Sequence, residues 1–198
     1  ESDEFNHHFL AYHPKKVIIT CIELEHTEIY KDIEDTIKTF EEFANKAETV
    51  IANGDDLNIR KINFKNKVVF YGEDESNDYI IKDIKLETTG STFTLYKKDE
   101  LIDTFTVPLY GHHMVMNTVA SIISALDEGV SKEKIKELLP TFKNANRRFA
   151  ETKVGDTIIV DDYAHHPTEV KVTLEAIRQK YPDKKLTVVF RPNTYSRR

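Results

Sequence analysis

The sequence predicts an α/β protein, and three observations carry that prediction. Short β-branched runs alternate with helical patterns in the first part of the chain. Three β-rich runs then follow one another across Tyr79–Val107, separated by the short polar connections Thr89-Gly90-Ser91 and Lys98-Asp99-Glu100. A strand–helix order returns from Thr157 onward. Alternating strands and helices point to a largely parallel sheet, and closely spaced β runs to an antiparallel meander.

Taken in order, Lys16–Cys21 (K-V-I-I-T-C) reads as a buried strand. Asp32–Ala47 reads as a helix, with Ile33, Ile37, Phe40 and Ala44 on one face. Glu48–Ala52 and Val68–Tyr71 read as strands, with a turn at Asn53-Gly54-Asp55-Asp56 and a short helix between them. The meander comprises Tyr79–Leu86, Thr92–Tyr96 and Ile102–Val107. His113–Asp127 is the clearest helix. Val115, Val119, Ile122, Ile123 and Leu126 form its apolar stripe, and Gly129 caps its end. Ser131 begins a further helix that stops before Pro140. After a polar connector, Thr141–Ala150, come strands at Glu151–Val154 and Thr157–Val160 and a helix from about Thr168 to Lys180. A strand at Leu186–Phe190 is expected to complete a right-handed parallel β-α-β unit.

Composition bounds the function. The 198 residues carry a net charge of −6, which argues against non-specific nucleic-acid binding, since that needs a basic face. No apolar run approaches the roughly 20 residues that span a bilayer. Cys21 is the sole cysteine, so no internal disulfide can form, in keeping with a reducing, cytoplasmic setting.

The densest chemistry lies at Asp161–Pro167, D-D-Y-A-H-H-P, between an apolar run and a helical pattern. In parallel sheets such strand-to-helix turns sit where ligands bind. Asp162 can equally serve as a helix cap, and the histidines can be solvated. Four further clusters stand out. His26 lies in a glutamate-rich turn with Glu23, Glu25 and Glu28. His112, His113 and Asn117 open the long helix, where capping is the plain alternative. Arg147 and Arg148 lie in the connector, and Phe190–Arg197 reads F-R-P-N-T-Y-S-R.

Together these segments resemble the Mur ligase family. E-S-D-E at the start resembles its E-x-x-E, and T-C-I-E-L-E-H at Thr20–His26 its T-N-I-x-x-D-H. G-H-H-M-V-M-N at Gly111–Asn117 resembles its G-x-H-N-x-x-N, and N-R-R-F its R-R-F. The heptad and the closing segment follow in the same order. The resemblance implies an ATP- and Mg2+-dependent amide ligase of peptidoglycan precursor synthesis. It is closest to the branch that joins L-alanine to UDP-N-acetylmuramate through an acyl phosphate. A peptide-recycling ligase on the same sugar nucleotide and a non-catalytic nucleotide-binding remnant are the alternatives.

Carried over by motif, Glu1 and His26 would hold the metal. His113, Asn117, Arg148 and Asp161 or Asp162 would contact ATP. Tyr163, His165 and Arg197 would face the substrates, with Glu1, His26 and His165 in the catalytic set. Cys21, Glu25, Met114, Arg191 and Asn193 depart from the pattern, the last two near the amine-acceptor pocket.

The family's ATP site also needs a glycine-rich P-loop ending in Gly-Lys. This chain has six glycines and none precedes a lysine, so the P-loop is expected upstream of Glu1. The resemblance thus implies the later part of a P-loop-type central domain over residues 1–147, including the meander. The beginning of a Rossmann-like C-terminal domain would occupy 148–198. The chain alone is expected to be inactive and to self-associate through an unpaired sheet edge.

Overall fold

The computed structural model describes residues 4–191, so Glu1, Asn193 and Arg197 lie outside the described residues. The ordered elements are β1 (Lys16–Ile19), α1 (Ile33–Ala44), β2 (Thr49–Asn53), β3 (Lys67–Gly72), β4 (Tyr79–Glu87), β5 (Gly90–Lys97) and β6 (Glu100–Val107). There follow α2 (His112–Asp127), α3 (Lys132–Leu138), β7 (Ala150–Val154), β8 (Thr157–Asp161) and α4 (Pro167–Lys180). A 3-10 segment at Phe5–Ala11, which the sequence pattern does not announce, precedes them. By backbone proximity the chain divides into two units. One comprises 1–82, 94–103 and 116–132, and the other 83–93, 104–115 and 133–198.

The mixed α/β prediction holds, with the meander fused to the parallel strands. One six-stranded sheet runs in the order β1-β2-β3-β4-β5-β6. β1, β2 and β3 pair in parallel, Val17 opposite Val50 and Val50 opposite Val68. β4 joins β3 in parallel through only two positions, Tyr71 with Tyr79 and Gly72 with Ile80. Parallel neighbours ordinarily need a long crossover. Here β4 begins where β3 ends, so the chain needs only a sideways step across residues 73–78.

In the first unit, α1 starts because Asp32 accepts the Asp35 N–H at 2.9 Å as its N-cap. It packs Ile33, Ile37, Phe40 and Ala44 against Val17, Ile19, Val50 and Ala52. Behind the strand ends, Asp56 fixes two loops at once. Its carboxylate accepts the Ile22 N–H at 3.0 Å, the Asn58 N–H at 2.8 Å and the Ile59 N–H at 3.0 Å. Helix α2 is buried over more than the expected stripe, since Met116, Thr118 and Ala120 are covered along with Val115, Val119, Ile122 and Ile123. Its C-terminus closes as a Schellman turn. Gly129 has φ +82°, and the Gly129 and Val130 N–H groups reach Leu126 and Ala125 carbonyls, each at 3.0 Å.

The expected strand at Leu186–Phe190 does not form, and with it goes the parallel β-α-β unit. β7 and β8 are an antiparallel hairpin, Glu151 opposite Val160. A β-rich run becomes a strand only beside a hydrogen-bonding neighbour. Among the described residues none pairs with this run, and Val189 within it is 95% exposed. The hairpin also uses the edge of β8 that faces β7, and its outer residues Val154 and Ile159 remain exposed.

Replacing Asp56 by alanine leaves three backbone N–H donors without their acceptor. Urea unfolding of the variant is expected to show a loss of about 2 kcal/mol with an unchanged slope.

Candidate functional site

Three of the segments singled out by sequence, G-H-H-M, N-R-R-F and D-D-Y-A-H-H-P, converge in the second unit. Asp162 is the node. Its Oδ2 accepts the Phe149 N–H at 2.8 Å, and its Oδ1 accepts the Ala164 N–H at 2.9 Å and the Thr173 hydroxyl at 3.2 Å. One carboxylate thereby ties the connector, the turn and α4. It is not the helix cap that its position allowed. The N-cap is His166, whose ring accepts the Thr168 N–H at 3.3 Å, with Pro167 at the first helical position. Asp161, by contrast, keeps an exposed carboxylate 3.5 Å from the Arg147 guanidinium. Of the two aspartates it is the one presented to solvent.

Glu169 completes the capping box and does more. Its Oε2 accepts the His165 N–H at 3.0 Å and the His166 N–H at 3.2 Å, and its Oε1 lies 3.8 Å from Arg148. Burial pushes its carboxyl pKa upward. The two N–H donors and the charges of His165 and Arg148 outweigh that, and the group titrates below its ordinary 4.5. The His165 ring is held by the Tyr163 carbonyl at 2.8 Å from Nδ1, and it meets the Tyr163 ring edge-on at 5.1 Å. Arg147 and Arg148 stand over the Tyr163 ring at 5.3 and 5.8 Å. Arg147 and Phe149 adopt φ +59° and +53°, so the connector is sharply bent where the arginines are displayed. Beside His165, a groove of about 530 Å³ runs along α4 between Pro167, Val170, Leu174 and Phe190.

His113 sits within reach of the same charges. Burial lowers its pKa below 6.5, the nearby Asp162 and Glu175 oppose that, and His112 and Arg148 reinforce it. Its Nδ1 is buried without a hydrogen-bond partner. Such an orphaned atom suits an incoming donor. Asn117 lies four residues further along α2 and is exposed, as is Ser121, while Met116, Thr118, Val119 and Ala120 around them are buried. This amide therefore occupies the open stripe of an otherwise packed helix.

His26 belongs to the first unit. It adopts φ +49° at a turn where its carbonyl accepts the Ile29 and Tyr30 N–H groups at 2.7 and 3.0 Å, and its Nδ1 lies 3.1 Å from Glu28 Oε1. Among the described residues no three His, Cys, Asp or Glu side chains gather as a metal cage. Magnesium keeps most of its waters and takes one or two carboxylate oxygens from a protein, so in the exposed His26–Glu28 pair the Glu28 carboxylate is the group that suits it. Glu1 and Arg197 fall outside the described residues, and Cys21 is exposed.

Sequence reasoning missed two residues of this unit. Gln179 accepts the Gly111 N–H at 2.6 Å. Lys180 bonds Glu151 at 2.6 Å and lies 4.6 Å over Tyr110, which stacks on Phe149 at 5.4 Å. Both looked like ordinary polar positions of an amphipathic helix, and nothing local marked them.

Residues 2–125 match the model of the Mur ligase middle domain, and residues 147–196 that of the Mur ligase glutamate ligase domain. The chain belongs to the Mur ligase family. It is 43% identical over all 198 residues to the UDP-N-acetylmuramate–L-alanine ligase of Ligilactobacillus salivarius and 44% identical to that of Levilactobacillus brevis, spanning 45% of each. The fold is that of the UDP-N-acetylmuramate-alanine ligase of Thermotoga maritima, with TM-score 0.80 over 94% of this chain and 43% of that one, at 22% identity. The UDP-N-acetylmuramate:L-alanyl-gamma-D-glutamyl-meso-diaminopimelate ligase of Neisseria meningitides superposes with TM-score 0.60 over 70% of this chain and 43% of that one, at 20% identity. The chain thus spans about half the length of the relatives it matches.

Glu169 has a depressed carboxyl pKa, so its contribution is present above the unfolded value near 4.5 and is lost as pH falls through the folded value. Glu169→Gln is expected to remove that acid-limb loss. Stability measured against pH should show wild type and variant converging as pH drops below 4.5. Divergence growing toward acid would reverse the sign and refute the assignment.

Proposed function

We propose that this chain supplies the nucleotide-facing and acceptor-facing parts of an ATP-dependent ligase that joins L-alanine to UDP-N-acetylmuramate. The observation that carries the reading is the identity of 40–44% along the entire chain to ligases of that name. The gathering of three motif segments around Asp162 and Glu169 supports it. The peptide-recycling reading rests on likeness of fold alone, at 20% identity.

In this reading the lactyl carboxylate of UDP-N-acetylmuramate attacks the γ-phosphorus of ATP, and ADP leaves. The amine of L-alanine then attacks the acyl phosphate. The tetrahedral intermediate collapses to the amide, expelling phosphate, and the amine's proton passes to solvent or a base. Asn117 is suited to the adenine edge, since an amide offers one donor and one acceptor in the plane of N6 and N7. Arg147 and Arg148 stand ready as rigid donors for phosphate oxygens. Asp161 is the aspartate available to a ribose hydroxyl. The Tyr163 carbonyl orients His165, which borders the apolar groove and is the base nearest the proposed acceptor side. His26, with Glu28, would hold magnesium, whose charge would offset that of the phosphates. The cytoplasm, where nucleotide precursors and ATP meet, is the proposed compartment.

The direct test is release of ADP by the full-length enzyme, dependent on both UDP-N-acetylmuramate and L-alanine. A tripeptide acceptor preferred over L-alanine would favour the recycling ligase instead. Asn117→Ala is expected to raise the ATP requirement by about 1–3 kcal/mol while leaving the L-alanine requirement nearly unchanged. Equal effects on both substrates in steady-state kinetics would assign Asn117 to the helix alone. His26→Ala is expected to reduce turnover strongly and to shift the magnesium dependence with the circular-dichroism spectrum intact. Wild-type magnesium titration in that variant would remove His26 from the metal site.

A further inference from the structure

We infer that Gln179 is a positioning residue for ligation, holding the Gly111 turn, and so the start of α2, to the helix that carries the acceptor turn. The inference rests on the ligase reading above. Helix α4 begins at the His165–His166 turn, where Glu169 meets Arg148. Three turns later it presents Gln179 to another stretch of chain. The Gln179 Oε1 accepts the Gly111 N–H at 2.6 Å. Its Nε2 donates to the Gly90 carbonyl at 2.9 Å and the Glu87 carbonyl at 2.9 Å, with Ser91 Oγ at 3.3 Å. Ser91 in turn donates to the Leu109 carbonyl at 2.8 Å, just before the same turn.

The chemistry selects the residue type. The site asks for one acceptor facing an N–H and two donors facing carbonyls, on an arm of this length. A carboxylate has no donors, an ammonium no acceptor, and an aliphatic chain neither. Packing seats the turn as well as hydrogen bonding. Ala176, one turn back on α4, is 1% exposed. A methyl placed on Gly111 would come within 3.1 Å of its Cβ and within 2.7 Å of the His113 ring, and Gly111 has φ +90°. A turn with no slack and a saturated amide clamp transmits the placement of α4 to the residues that open α2. His113, two positions after Gly111, moves with that turn. A small misplacement of reacting groups can cost about a hundredfold in rate, so turnover is where the clamp is read most directly.

The experiment uses the full-length enzyme carrying Gln179→Met, which keeps the length and volume and deletes every bond. Turnover per folded molecule at saturating substrates is expected to fall about tenfold or more. Because His113 would contact ATP, the dissociation constant of Mg-ATP without L-alanine should rise as well, by a smaller factor than turnover falls. Amide hydrogen exchange should show lost protection at Gly111 with β1–β3 unchanged. Gln179→Glu, which keeps the acceptor for Gly111 but sets a carboxylate against the Glu87 and Gly90 carbonyls, is the second variant and should lose turnover at least as much as the methionine variant. Turnover per folded molecule within about twofold of wild type in both variants would overturn the inference. So would a Gly111 amide that exchanges rapidly in the wild type. A wild type that clamps Gly111 but ligates no L-alanine would refute the ligase reading and leave the clamp standing.

Discussion

The Asp162 carboxylate is the contact on which the candidate site depends. It receives a backbone N–H from the connector, another from its own turn, and a hydroxyl from α4. Hydrogen bonds to a charged acceptor are worth more than neutral ones, and an unpaired partner costs its full desolvation. With these three in place, the bent connector has to display Arg147 and Arg148 toward Tyr163. The turn has to bring His165 under Glu169. Without them, Arg147 and Arg148 on one loop and Tyr163 and His165 on the other would be unrelated.

From that node the helix α4 carries order outward. Its N-terminal end is satisfied by His166 and Glu169, so the histidines of the heptad divide their tasks: one caps, the other faces the groove. Its C-terminal end is held by Gln179 and by Lys180, which meets Glu151 and the Tyr110–Phe149 stack. A helix fixed at both ends is a rigid spacer, and the chemistry proposed for this enzyme needs reacting groups at fixed separation. The first unit is stabilised differently. A conventional apolar core between α1 and β1–β3 supports loops that display His26, and Asp56 stitches two of those loops together.

Much of this was legible in the residues. β-branched runs gave β1, β2 and β3; of these β2, buried from Val50 to Ala52, is the strand covered on both faces that such a continuous apolar run announces, whereas Ile18 of β1 stays exposed. The spacing of Ile33, Ile37, Phe40 and Ala44 gave α1, and Gly129 gave the end of α2 because only a residue at ease at positive φ closes a Schellman turn cheaply. The motif order pointed to the family, and the heptad, the arginine pair and the G-H-H segment were marked as chemistry before their meeting in one unit was known. Leu186–Phe190 misled, since its β propensity is real but none of the described residues pairs with it.

What the sequence by itself determined, then, was local: which stretches extend or coil, where they stop, and which side chains carry charge, imidazole or amide. Only the tertiary structure decided how those groups divide their roles. Asp162 rather than His166 was the natural choice for a cap, yet the fold turns Asp162 inward to three donors and leaves Asp161 exposed. Gln179 carries no local signal, because its four partners lie at Glu87, Gly90, Ser91 and Gly111, far away in the chain. Propensity and capping act over one or two turns of chain, whereas a clamp of this kind exists only once distant backbone groups have been brought to one point.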